Sequence, residues 1–116
     1  MKKIITIKRS RDFSRAFKRG KSVADKYLVI YIYKNNIEIN RIGISIGKKV
    51  GNSVNRNRVK RLIRENYRQI KASLEVGFDV IFIPRQLSKD AKCKDIYNSI
   101  FKLFKKLGIL SKEVIK

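Results

Sequence analysis

Residues 26–34, KYLVIYIYK, alternate strictly in side-chain character. In an extended chain Tyr27, Val29, Tyr31 and Tyr33 point one way, and Leu28, Ile30 and Ile32 point the other. That period of two, carried by β-branched and aromatic residues, predicts a β-strand with an aliphatic core face. Asn35-Asn36 behind it predicts a hairpin turn. The next run, IEINRIGISIG, alternates again, with Ile42, Ile44 and Ile46 on one face and Gly43, Ser45 and Gly47 on the other. A sheet face carrying only small residues leaves room for something to lie against it. FDVIFIP, residues 78–84, reads as a short apolar strand stopped by Pro84.

Helical signals separate these strands. Ser10 can cap a first helix, with Asp12 near its positive end, Phe13, Ala16 and Phe17 on one face, and Gly20 as the stop. A second helix is expected from about Ser53 to Leu74, with Gly77 beyond its end. Ser88 is expected to cap a third, whose apolar positions Ile96, Tyr97, Ile100, Leu103, Phe104 and Leu107 follow helical spacing up to Gly108. The predicted order is helix, two or three strands, helix, strand, helix. Such an order makes a layered α+β domain, with helices covering one side of a mostly antiparallel sheet. A chain of 116 residues fits one domain, with 1–9 and 109–116 as terminal tails.

The charge balance points to the partner. Lys and Arg number 30 against 9 Asp and Glu, a net charge of +21, in a chain that is 43% hydrophobic and so has the composition of a folded domain. A field of that size concentrates polyanions, nucleic acid before an anionic membrane surface. The charge peaks in Lys48–Arg64, KKVGNSVNRNRVKRLIR, where seven of seventeen residues are basic and none is acidic. On a helical wheel Val59, Leu62, Ile63, Tyr67, Ile70 and Leu74 gather in one arc. Arg56, Asn57, Lys60, Arg61, Arg64, Arg68 and Lys71 fill the adjoining one, and Glu65, the sole acid between Lys48 and Lys71, lies off this ridge. A merely solvated helix face mixes signs, because like charges at i and i+4 repel by a few tenths of a kcal/mol per pair. The unrelieved ridge therefore favours polyanion binding, and its arginines suit bidentate contacts to phosphate. Asn57 among the cations could hold a base edge, a 2′-hydroxyl or a hydrated metal ion, or be a plain exposed amide.

Catalytic equipment is sparse. The chain has no histidine, and its carboxylates are scattered singly, without a spacing that suggests acid–base or two-metal chemistry. Cys93 is the only cysteine and cannot form an internal disulfide. With no signal-peptide core and no membrane-length apolar run, the expectation is a soluble cytoplasmic protein. Phe13 and Phe17, one helical turn apart, and Tyr27, Tyr31 and Tyr33 on one strand face suit either a core or the stacking of unpaired RNA bases.

Lys48-Lys49-Val50-Gly51-Asn52-Ser53-Val54-Asn55-Arg56-Asn57-Arg58-Val59-Lys60-Arg61-Leu62-Ile63-Arg64 closely resembles the signature of the protein subunit of bacterial ribonuclease P. Phe13, Phe17 and Gly20 match that family's first helix, and Tyr31 its aromatic strand position. The resemblance implies an α-β-β-β-α-β-α sandwich with a four-stranded sheet and a left-handed crossover around the basic helix. It also implies an endoribonuclease that removes the 5′ leader from precursor tRNA. In that enzyme the RNA subunit carries the catalytic centre and holds most of the Mg2+, and the protein is not catalytic alone. Arg56, Asn57, Arg58, Lys60, Arg61, Arg64 and Arg68, with Lys48 and Lys49, would face the catalytic RNA. Phe13, Phe17 and Tyr31 would line the leader cleft. The partners implied are the catalytic RNA and precursor tRNA, with no membrane and no further protein required. A ribosomal or other structural RNA-binding protein would share the charge and fold. A membrane-active basic protein or an independent nuclease is a more distant alternative.

Overall fold

A computed structural model describes residues 4–111. The elements run α1 (Ser10–Arg19), β1 (Lys21–Ala24), β2 (Leu28–Lys34), β3 (Arg41–Ile44), α2 (Ser53–Ile70), β4 (Phe78–Pro84) and α3 (Cys93–Leu107). Single 3₁₀ turns occupy Lys48–Val50, Lys71–Ser73 and Gln86–Asp90. The order is the α+β arrangement that the resemblance implies.

The sheet is ordered β1-β2-β4-β3. β4 pairs antiparallel with β2 from Leu28↔Pro84 to Lys34↔Phe78, and parallel with β3 from Arg41↔Asp79 to Ile44↔Phe82. Parallel neighbours need a crossover, and α2 is that crossover. The hairpin expected at Asn35-Asn36 is not formed, because the nearly continuous apolar strand β4 inserts between the two segments it was to join. Asn36 does turn the chain, at φ 62°, and the Asn35 amide holds the loop by donating to Ile39 O and Asp79 Oδ1. The hairpin lies one strand earlier, between β1 and β2, where Asp25 Oδ1 accepts the amides of Tyr27 and Leu28. β1 escaped the sequence reading because it is a four-residue edge strand with little buried surface.

Helices cover both faces of the sheet, not one. On one face Leu28, Ile30, Ile32, Ile42, Val80 and Phe82 pack against Val59, Ile63, Tyr67 and Ile70 of α2 and against Ile96, Ile100, Leu103 and Phe104 of α3. On the other, Ala16 and Phe13 of α1 pack with Ile7 over Ile81, Tyr31, Tyr33 and Ile83. The small-residue face of β3 is therefore occupied: a Cβ at Gly43 would meet Phe13 Cζ at 2.5 Å. Gly20 closes α1 for a related reason, since a Cβ there would lie 2.3 Å from the carbonyl oxygen of Ile32.

The segments expected as tails carry core residues. Ile7 donates its amide to Ile42 O at 2.8 Å and Ile42 donates to Ile5 O at 2.9 Å, so residues 5–7 extend the sheet beyond β3. Ile7, Ile109 and Leu110 are buried, and Leu110 bridges antiparallel to Leu74. Short apolar runs next to an open sheet edge or helix end find cover there. The rest of the expected tails, 1–3 and 112–116, lies outside the described residues. Two helix ends also differ. α2 gives way at Lys71 to a 3₁₀ turn, and α3 begins at Cys93, with Asp95 Oδ2 accepting the amide of Lys92. Ser88 sits instead in the preceding 3₁₀ turn, its hydroxyl donating to Arg85 O.

Candidate nucleic-acid interface

The basic segment starts from a well-anchored base. Val50 holds the 3₁₀ turn in the core, leaving Lys48 and Lys49 exposed. Asn52 caps α2 by accepting the amide of Asn55 at 3.0 Å. Val59, Ile63, Tyr67 and Ile70 are buried. Burial raises the Tyr67 hydroxyl pKa to about 12. With that face fixed, Asn57, Arg61, Arg64 and Arg68 project into solvent, and Arg56 and Lys60 are half-buried beside them. The first turn of α2 holds no acid. The positive end of the helix dipole therefore adds to the field of Lys48, Lys49 and Arg56, where an acidic residue would ordinarily offset it. An anion relieves this repulsion, which no side chain in that turn does.

Arg58 does not join the ridge. Its guanidinium donates to the carbonyl oxygens of Lys89 at 3.0 Å and Ala91 at 2.7 Å, tying α2 to the segment that leads into α3. Of the basic residues named by resemblance, it is the one whose donors are committed to the fold.

The aromatic residues also divide. Phe17, 39% exposed, stands edge-on to Tyr31 with ring centroids 5.0 Å apart. Phe13 lies 6.4 Å from Phe17 but is half-buried over Gly43, so it supports the pair from beneath. Tyr33 belongs to the same cluster, whereas Tyr27 packs against the α2–α3 side with Lys26 Nζ 5.1 Å from its ring centroid. An open cleft of about 250 Å³ lies between Phe13 and the ridge. Phe13, Gly43 and Ile44 line it from α1 and β3, and Lys60 and Arg64 from α2. The groove thus sets the Phe13 ring against the cations of Lys60 and Arg64, with Phe17 of the exposed pair next to Phe13.

A buried ionic network sets the position of α1 and went unnoticed in the sequence. Arg41 grips Asp79 with two charge-assisted hydrogen bonds of 2.8 and 2.7 Å, and its NH1 lies 3.6 Å from Asp12 Oδ2 in α1. The bond to Asp79 raises the Arg41 pKa further. The available signal was Asp79 itself, a carboxylate inside an apolar strand, which requires a cation or donors nearby. Asp12 and Asp79 are thus engaged by Arg41, and the described residues hold no group of three or more His, Cys, Asp or Glu that could bind a metal ion. Among the described residues no helix is long and apolar enough to cross a membrane.

The family model for ribonuclease P matches residues 1–108. The chain belongs to the ribonuclease P protein family. A ribonuclease P protein component from Clostridioides difficile is 51% identical over 104 residues, which are 89% of this chain and 91% of that one. Another, from Natranaerobius thermophilus, is 43% identical over 115 residues, 99% of this chain and all of that one (100%). The solved ribonuclease P protein of Staphylococcus aureus superposes with a TM-score of 0.85 at 40% identity, covering 94% of this chain and 100% of that one. That of Thermotoga maritima superposes at 0.80 and 31% identity, covering 87% and 96%. The fold is thus that of a ribonuclease P protein.

Proposed function

We propose that this chain, as the protein component of ribonuclease P, grips two RNA strands at adjoining surfaces. The ridge of Arg56, Asn57, Lys60, Arg61, Arg64 and Arg68, with Lys48 and Lys49, binds the catalytic RNA, and the Phe17–Tyr31 pair receives the unpaired 5′ leader of precursor tRNA. Cleavage is performed by the RNA subunit, which also holds the magnesium. The observation that carries this reading is the groove in which Phe13 faces Lys60 and Arg64. Single-stranded RNA is held by stacking on rings and by cations along its backbone; the Phe17–Tyr31 pair supplies the rings, and the groove beside Phe13 supplies cations. The absence of histidine and the engagement of Asp12 and Asp79 by Arg41 support an assisting role for the protein.

The protein acts by favouring precursor over mature tRNA through the leader, and by neutralising phosphates so that two RNAs can approach. Seven basic contacts from the ridge and Lys48–Lys49 correspond to a log–log salt slope of about −6. The test is reconstitution with a bacterial ribonuclease P RNA at low magnesium, following precursor cleavage with and without the protein. Phe17→Ala is expected to weaken leader-bearing precursor by about 1–3 kcal/mol, the contribution of one stacked base, and to leave mature tRNA binding unchanged. An equal loss for mature tRNA refutes the leader role. Tight RNA binding with no effect on precursor cleavage would make the chain a structural RNA-binding protein.

A further inference from the structure

A second basic cleft lies at the end of α3, on the face of the sheet that α2 and α3 cover. Lys21 pairs with Ile32, and Lys34 with Phe78, across neighbouring strands. Paired residues share a face, as do Ile32 and Lys34 two apart on β2. Ile32 is buried in the core beneath the helices, so Lys21, Lys34 and Phe78 point to that same side. α3 does not reach far enough to cover them. It stops at Gly108, which adopts φ 75° and turns the chain towards the Leu74–Leu110 bridge. The uncovered end of the sheet leaves an open cleft of about 420 Å³, a volume within the range of small-ligand sites.

Its chemistry has two parts. Ile32, Phe78, Leu107 and Ile109 present a mainly aliphatic floor, and Arg19, Lys21 and Lys34 stand around it, all three exposed. No acidic residue lines the cleft, and none of the three cations makes an ion pair among the described residues. Charges on a sheet's core side commonly guard an edge strand against pairing. That reason covers Lys21 on β1 but not Lys34, because β2 is an inner strand. Three converging cations without a counterion favour an anionic head, and the floor favours a hydrocarbon body.

We propose that this cleft binds a monomeric acyl anion, its head held by Arg19, Lys21 and Lys34 and its chain laid over Ile32, Phe78, Leu107 and Ile109. The site lies on the opposite face of the sheet from the Phe17–Tyr31 pair, so it neither rests on the RNA-binding reading nor shares its test.

The test titrates the isotopically labelled full chain with sodium hexanoate, octanoate and decanoate, each below its micelle concentration, and follows backbone amide resonances. The amides of Lys34, Gly108 and Ile109 should shift together, and each added methylene should tighten Kd about fourfold, the effect of burying one such group. Octan-1-ol keeps the chain without the charge, and should bind about tenfold more weakly than octanoate, as for one lost hydrogen bond to a charged group. Arg19→Ala/Lys34→Ala truncates two exposed side chains and should weaken octanoate by at least about tenfold, with a melting curve verifying the fold. Affinity independent of chain length, equal binding of octan-1-ol, shifts confined to α2, or undiminished affinity in the double variant overturns the proposal. The first three need no variant. Retention of the chain on phosphatidylglycerol vesicles without any shift from decanoate also overturns it, and assigns the cations to a lipid surface.

Discussion

Replacing Arg58 by alanine separates the fold from the interface. Arg58 sits within the most basic run of the chain, yet its donors reach Lys89 O at 3.0 Å and Ala91 O at 2.7 Å. Hydrogen bonds from a charged donor contribute about 1.5–3 kcal/mol, and a buried acceptor left without a partner costs about 1–3 kcal/mol. Lys89 is exposed, so water can replace the guanidinium at its carbonyl, whereas Ala91 is 1% exposed. The loss therefore centres on one bond, about 2 kcal/mol. Relief of like-charge repulsion along α2 returns only a few tenths of that. For a domain of this size the loss corresponds to a drop in Tm of about 8 °C. The assay pairs a thermal melt of the free protein with salt-dependent binding to the catalytic RNA. Arg58→Ala should melt early with its salt slope unchanged. Arg61→Ala, truncating an exposed side chain, should keep stability within about 0.5 kcal/mol and make the slope shallower by about 0.7–0.9. An Arg58→Ala protein with wild-type Tm and a shallower slope would refute the structural assignment.

Gly43→Val should displace Phe13, whose Cζ lies 2.5 Å from the new Cβ. The expected cost is about 1–3 kcal/mol together with weaker leader-dependent binding, whereas Gly47→Ala, with nothing within 4 Å, should alter neither. In acid, burial raises the Asp25 pKa, but hydrogen bonds from Ser99, the Leu28 and Tyr27 amides and Lys102 outweigh it and leave the carboxyl below its ordinary value. Asp25 thus contributes stability above the ordinary carboxylate range that is lost as pH falls through its lowered value. Denaturant melts across that window should show a shallower dependence in Asp25→Asn. In alkali, Tyr67, raised to about 12, holds its proton after the unfolded chain has released it. Stability should therefore fall between about pH 10 and 12 by up to about 3 kcal/mol, and ultraviolet titration of Tyr67→Phe should lack the late tyrosinate step.

Patterns confined to one element were legible in the sequence, and those needing two were not. The faces of β2, the extent of β4 and the anchored side of α2 followed from period and burial alone, because each is set by neighbours in the chain. The pairing of β2 with β4 instead of β3 was not legible, since nothing local to Asn35-Asn36 reveals a strand arriving 44 residues later to meet Asp79. Small residues at Gly43 correctly announced a close approach, but not that Phe13 would fill it. In the site, the helical wheel already left Arg58 out of the cationic arc, and only the family motif drew it in. The wheel was the better guide to the direction of that side chain.

β4, one of the two inner strands, is also the last of the four to leave the ribosome. Until Phe78–Pro84 is synthesised, β3 lacks its neighbour 38 residues away and β2 lacks one of its two. Contacts of such separation form slowly, because a large loop must close before any pairing rewards it. Throughout that interval the nascent chain carries its full basic motif with no finished platform to hold it. Polyanions that gather around it early would offset the mutual repulsion opposing that closure, so an RNA partner present during synthesis should speed maturation as well as occupy the finished surface.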